Sequence, residues 1–397
     1  MKMKDSEVSW VGEIPENWSM VPFKSFLKKK KDILNHWENQ NVLSLTMNGI
    51  IIRDLENPTG KMPATFDGYQ TIDKGNFILC LFDIDVTPRC VGVANDDGVT
   101  SPAYSQYEVK YGVTQYYYYL LLMLDNDKIL LTYSKTLRST LTDEYFGAIK
   151  VPITQDIYEQ KKIADFLDSK IALIDQIIAD TKHSIEELKA YKQSLITETV
   201  TKGLDPNVPM KDSGVEWIGE MPKEWKLSTY KYIAKIRNGK EITVDGGKVP
   251  VYGSGGIFKW TNEPLFIGES VLFGRKGTIG EPMIASGEFW TVDTMYYTEI
   301  NKSRCSLKYC YYLSKSLPWD FYKTKTALPS IVGTQIESIK IPLPDKEEQN
   351  SITKFLDEKV KNIDGLIFGK QNLITDYESY KKSLIYEYVT GKKRIDK

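Results

Sequence analysis

Glu159-Gln-Lys-Lys-Ile-Ala-Asp-Phe-Leu-Asp168 returns 189 residues later as Glu348-Gln-Asn-Ser-Ile-Thr-Lys-Phe-Leu-Asp357, with Glu, Gln, Ile, Phe, Leu and Asp in the same places. The likeness runs on: Ile174 and Asp175 match Ile363 and Asp364. Tyr191, Lys192, Ser194, Leu195 and Ile196 match Tyr380, Lys381, Ser383, Leu384 and Ile385. Apolar residues fall in alternating steps of three and four. The first copy has Leu167, Ile171, Ile174, Ile178, Ile185, Leu188 and Leu195; the second has Leu356, Val360, Ile363, Ile367, Ile374, Tyr377 and Leu384. That spacing keeps one stripe of a helix apolar, as a coiled coil requires. It predicts two long helices, the first over about 156–201. Pro152, Pro342 and Pro344 precede them, where a missing N–H breaks no helical bond. Gly203 and Gly391 follow as helix stops. Thr181, Lys192, Lys370 and Lys381 fill gaps in the stripe. Gly365 and Gly369 weaken the second helix, each costing about 1 kcal/mol against alanine. Two helices that each have a stripe to cover are expected to pair, antiparallel, with each other.

Upstream of each tail stands a second repeated block. Trp10, Gly12, Glu13, Pro15 and Trp18 recur as Trp217, Gly219, Glu220, Pro222 and Trp225, an offset of 207. The offset falls from 207 to 189 between the two blocks, so the second copy is 18 residues shorter between them. The chain is two copies of one frame around unlike inserts, roughly 21–150 and 228–340. This reads as an α+β protein: two mixed α/β bodies separated by a pair of long antiparallel coiled-coil helices, with a pseudo-two-fold internal repeat. The expected boundaries are 1–153 for the first body, 154–203 for the first helical region, 204–343 for the second body and 344–397 for the second helical region.

Composition narrows the function. The 397 residues carry 52 Lys and Arg against 53 Asp and Glu, a net charge of −1. This excludes a polybasic protein and leaves room for local basic patches. Only His36 and His183 are available, which argues against a histidine-rich metal site. Cys80, Cys90, Cys305 and Cys310 form no C-x-x-C pair and read as ordinary thiols of a reducing compartment. No apolar run approaches the ~20 residues of a membrane span. A soluble, cytoplasmic protein with no membrane partner is expected.

In the first body, β-type runs fall at 41–45, 76–82, 89–94 and 103–110, and 115–124 is apolar enough for a buried helix. The run Lys28 to Lys31 reads as a solvated helix face or as an attraction for phosphate. In the second body, Gly274-Arg-Lys-Gly-Thr-Ile-Gly280 places two cations and a hydroxyl on a glycine turn. Such a turn lets backbone N–H groups and Arg or Lys approach a phosphate or a guanine edge. It is not a phosphate-binding G-x-x-x-x-G-K-[ST] loop. Tyr252, Ser254, Trp260 and Trp290 either contact a groove or pack in the core.

The repeated blocks resemble the DNA-specificity subunit of type I restriction–modification systems. The resemblance is carried by W-[VI]-G-E-[IM]-P-x-x-W at 10–18 and 217–225, E-Q-x-x-I-x-x-F-L-D at 159–168 and 348–357, and Y-K-x-S-L-I at 191–196 and 380–385. Residues 250–256, 274–280 and 289–293 look like one common type of target-recognition domain, and 98–104 like another. The resemblance implies two target-recognition domains, each reading one half of a bipartite, asymmetric site in double-stranded DNA. It implies helical regions that set the spacer and dock two adenine-N6 methyltransferase subunits, and through them restriction/translocase subunits. It implies no catalytic or metal residue and no cofactor on this chain, with S-adenosylmethionine bound by the methyltransferase partner only. No N-P-P-[YF] methylation motif is present, since Asn57-Pro58 is followed by Thr59-Gly60. Under this reading Arg275 and Lys276 are the foremost DNA contacts. Thr278, Ser254 and Tyr252 are weaker candidates, and Lys135 and Arg138 are candidates in a late loop of the first body. Two other readings stay open. A self-contained DNA methyltransferase or nuclease would need a cofactor loop and a catalytic motif. A structural coiled-coil adaptor would leave unexplained why like frames hold unlike bodies.

Overall fold

The repeated tails are helices, Ile157–Lys202 and Lys346–Val389, in a computed structural model that describes residues 2–58, 60, 62–134, 138–242 and 245–395. Their apolar stripe is buried at Leu167, Ile171, Ile174, Ile178 and Ile185, and at Leu356, Ile363, Ile367 and Leu384. Gly203 and Gly391, both at positive φ, end the helical runs. A Cβ at Gly391 would lie 2.5 Å from Pro15 Cδ, and one at Gly203 3.2 Å from the Trp225 ring. Glycine therefore both stops the helix and lets a tryptophan-bearing opening block pack closely.

Contacts divide the chain into two compact units, Met1–Asp180 with Leu373–Lys397, and Thr181–Asn372. Each unit holds one opening block, one body, the first part of its own tail helix and the last part of the other. Within the first unit the helical segments run antiparallel. Phe166 packs against Tyr388 with ring centroids 4.6 Å apart and the rings tilted by 41°, and further along Lys381 Nζ lies 2.6 Å from Asp175. Within the second unit Lys192 Nζ lies 2.6 Å from Asp364. Lys192 and Lys381 are counterparts in the repeat, as are Asp175 and Asp364. These two gaps in the stripe are thus bridged by ion pairs rather than hydrocarbon. Both pairs are half-exposed, so each contributes at most about 1 kcal/mol.

The repeated tail motif is the joint between helix and body, because its polar side chains satisfy groups the body buries. Trp18 Nε1 donates to Glu159 Oε2 at 3.2 Å, and Trp225 Nε1 to Glu348 Oε2 at 2.7 Å. Gln160 Oε1 accepts from Val113 N at 2.9 Å, just ahead of helix Thr114–Asn126. Gln349 Oε1 accepts from Ser306 N at 3.0 Å, just ahead of helix Leu307–Ser316. Tyr119 and Tyr312 donate their hydroxyls to Asp168 and Asp357 at 2.6 and 2.9 Å.

The frame reaches further into the bodies than the sequence reading allowed. Tyr116, Tyr118, Tyr119 and Leu120 match Tyr309, Tyr311, Tyr312 and Leu313 at an offset of 193, on those two helices. Ile149-Lys-Val-Pro-Ile153 matches Ile339-Lys-Ile-Pro-Leu343. Strand Lys150–Ile153 pairs with Ser19–Pro22, and Lys340–Leu343 pairs with Lys226–Thr229.

The inserts share a sheet order despite their unlike sequences. In the first, strands Leu27–Lys30, Ser105–Val109, Phe77–Leu79 and Val91–Val93 lie side by side. In the second, Ala234–Asn238, Met295–Ile300, Phe266–Gly274 and Met283–Thr291 follow the same order. There the sheet is extended by Val249–Gly253, added in parallel, and Gly256–Thr261. One expectation is corrected. Lys28, Lys29 and Lys30 lie on the edge strand Leu27–Lys30 and not on a helix face. Lys29 pairs with Asp143 and Lys30 Nζ lies 2.6 Å from Asp73, so the lysines blunt a sheet edge. Among the described residues no helix is long and apolar enough to cross a membrane.

Candidate nucleic-acid interface

In the second unit the site is built on the segment 291–295. Strand Phe266–Gly274 ends in a loop that only glycine permits, because a Cβ on Gly274 would sit 2.1 Å from the Thr278 carbonyl oxygen. In that loop Arg275 N donates to Thr294 O at 2.8 Å, and the Arg275 carbonyl accepts from Ile331 N at 3.1 Å. The guanidinium lies 6.0 Å from the Tyr296 ring centre, half-buried, whereas Lys276 and Thr278 are exposed. From the other side the Tyr252 carbonyl accepts from Val292 N at 3.2 Å. The structure therefore brings Arg275, Lys276 and Thr278 on one loop, and Tyr252 at a strand end with Ser254 on the turn after it, around one short segment. Ser254 stands exposed on the turn between Val249–Gly253 and Gly256–Thr261. Tyr252 packs edge-on against Phe289, 6.1 Å between centroids, which makes its ring largely a packing element.

Lys240 was missed by sequence reading. Its N–H donates to Thr291 O at 2.9 Å, and its exposed side chain joins the same rim. The signal was the preceding Gly239, where a Cβ would lie 1.9 Å from Val292 O. Among the described residues neither Lys240 nor Lys276 makes an ion pair, so both are available to phosphate. An exposed carboxylate, Asp293, lies in the same segment.

In the first unit Lys135 lies outside the described residues. Arg138 is exposed, and its carbonyl accepts from Asp83 N at 3.1 Å; Leu141 N donates to Leu81 O at 2.8 Å. The loop 80–90 is thereby docked on the late loop, as 275–282 is docked on 329–331. Both loops join the same two strands of the shared sheet order. Arg89, in the first of them, is a second residue that sequence reading missed. Its Nη1 donates to Asp125 Oδ2 at 3.0 Å and to Asn126 Oδ1 at 2.9 Å. No local pattern announces partners so far along the chain.

These rims offer cations, hydroxyls and backbone amides. Burial pushes the Cys90 thiol up to about 12, which keeps it protonated. No group of His, Cys, Asp and Glu among the described residues could hold a metal ion. The arrangement suits hydrogen bonding to a polyanion with readable edges.

Comparison with known proteins gives the same direction. The family described as type I restriction modification DNA specificity domain matches residues 222–375. The type I restriction enzyme MjaX specificity subunit of Methanocaldococcus jannaschii is 27% identical, over 97% of this chain and 96% of that one. The MjaVIII specificity subunit of the same organism is 27% identical over 63% of each chain. A chain from a type I R-M system, solved for its complex assembly and conformational transition, aligns with a TM-score of 0.74 at 13% identity, over 95% of this chain and 99% of that one. The HsdS subunit from Thermoanaerobacter tengcongensis aligns with a TM-score of 0.54 at 14% identity, over 95% and 98%. Residues 222–375 thus match the type I restriction modification DNA specificity domain, and nearly the whole chain is similar to type I restriction enzyme specificity subunits.

Proposed function

We propose that this chain is the non-catalytic DNA-reading subunit of a type I restriction–modification complex. Its two bodies read the two halves of a bipartite, asymmetric site in double-stranded DNA. Its repeated frame docks two adenine-N6 methyltransferase subunits and, through them, restriction/translocase subunits. The observation that carries this reading is one frame built twice, with the same joints and sheet order, around rims of different chemistry. A duplicated frame presents like surfaces to two copies of one partner, while unlike rims recognise unlike sequences. Lys240, Lys276 and Arg138 act as phosphate contacts that set register, and Arg275, Thr278 and Ser254 reach base edges. S-adenosylmethionine belongs to the methyltransferase, which extrudes its target adenine from the duplex.

The test is to map methylated adenines in DNA from cells that express this chain with its methyltransferase. One asymmetric motif in two parts is expected; methylation scattered without a motif would defeat the proposal. Binding of S-adenosylmethionine by the purified chain would overturn the non-catalytic assignment.

A further inference from the structure

We infer that Arg89 of the first unit reads a guanine by its major-groove edge, an inference that rests on the DNA-reading function above. The loop 80–90 occupies the place in the first sheet that 275–282 occupies in the second, and each carries an arginine. Arg89 lines a surface cleft of about 260 Å³ with Leu45, Thr46, Met47, Pro88 and Tyr104. Its side chain is 19% exposed.

The guanidinium is held by a helix end rather than by its own loop. Both Nη1 protons are committed, to Asp125 Oδ2 at 3.0 Å and Asn126 Oδ1 at 2.9 Å, at the end of helix Thr114–Asn126. Asp125 is itself fixed, since the same oxygen accepts from Cys90 N at 3.0 Å. Lys128 Nζ donates to Thr87 O at 2.7 Å and ties the loop to the helix end. Nη2 and Nε have no hydrogen-bond partner among the described residues. Two parallel donors on one rigid edge match O6 and N7 of guanine, whereas adenine presents an amino donor in place of O6. A phosphate would accept the same fork. Asp125 is shared between Arg89 and Lys128, whose Nζ lies 3.6 Å from the other carboxylate oxygen, so charge alone does not separate the two acceptors. The fixed direction of the fork favours a base edge, and salt dependence tells the two apart. Leu45, Pro88 and Tyr104 supply an apolar part of the cleft lining beside this edge.

The experiment maps methylated adenines in cells expressing the methyltransferase with wild-type chain, Arg89→Ala or Arg89→Lys. The lysine variant keeps a cation beside Asp125 and removes only the two-pronged edge, so it tests reading apart from charge. The wild-type motif is expected to contain a guanine at one position that becomes degenerate in both variants, with a roughly ten- to hundredfold loss of preference. The other half-site should be read as before, which shows that the complex still assembles. Variants that keep every position as specific as wild type overturn the inference. So does a uniform loss across sequences with a salt dependence reduced by about one ion, the mark of a phosphate contact. A wild-type complex that yields no motif overturns the DNA-reading function itself, and is thereby told apart from failure of Arg89.

Discussion

Arg275 and Lys276 are neighbours in sequence with different surroundings, and their replacement should separate two kinds of contact. Arg275 is half-buried against Tyr296, while Lys276 is exposed. Arg275→Ala is expected to cost about 1–3 kcal/mol of discrimination at one position of one half-site. Lys276→Ala should weaken binding evenly and reduce the salt slope by about one; titrating DNA binding by the assembled complex at several salt concentrations distinguishes them. Asp143 controls a pH dependence. Burial pulls its carboxyl up, but hydrogen bonds from Lys29, from Tyr107 at 2.7 Å and from Ser105 at 2.8 Å outweigh this and hold it below the usual range. A carboxyl depressed by folding contributes stability that is present above its unfolded value, ~3.9, and lost as pH falls through the lower folded value. Asp143→Asn should therefore lower stability at pH 7, by about 1–3 kcal/mol. Its melting temperature should also vary less than wild type below about pH 4.

The two long helices mix strong and weak positions. A Cβ on Gly365 or Gly369 meets nothing within 4 Å, so neither glycine is required for packing within the described chain. Gly365→Ala with Gly369→Ala should stabilise the second helix by about 1–2 kcal/mol, measured as a rise in midpoint of urea unfolding. If these glycines admit a close partner backbone, the same double variant will bind the methyltransferase more weakly. If assembly is unchanged, they are simply a weak spot. The ion pair between Lys381 and Asp175 is also open to a direct check. Charge reversal at either residue should cost up to about 1 kcal/mol, and reversal at both should recover most of it.

At the scale of the molecule, the first unit is assembled from the two distant parts of the chain. Leu384, Ile385 and Val389 are buried in its core, and the Tyr386 hydroxyl donates to the Trp10 carbonyl at 3.3 Å. Removal of 373–397 is thus expected to collapse hydrogen-exchange protection throughout 2–180 while residues 204–343 keep most of theirs. Equal loss in both units would show that they unfold as one.

The tail helices, their stops at Gly203 and Gly391, and the doubled frame were legible in the sequence, because helical geometry imposes a period and a copied joint repeats its residues. The lysines at 28–30 misled, since charge alone does not distinguish an edge strand from a helix face. The Y-x-Y-Y-L match between 116–120 and 309–313 was visible but lay inside segments that otherwise differ. The common sheet order, the gathering of Lys240, Tyr252 and Arg275 around 291–295, and the hold of Asp125 on Arg89 were decided only by the tertiary structure. These are contacts between residues far apart in the chain, and a pairing across a sheet or from a loop to a helix end leaves no periodic trace in the order of amino acids.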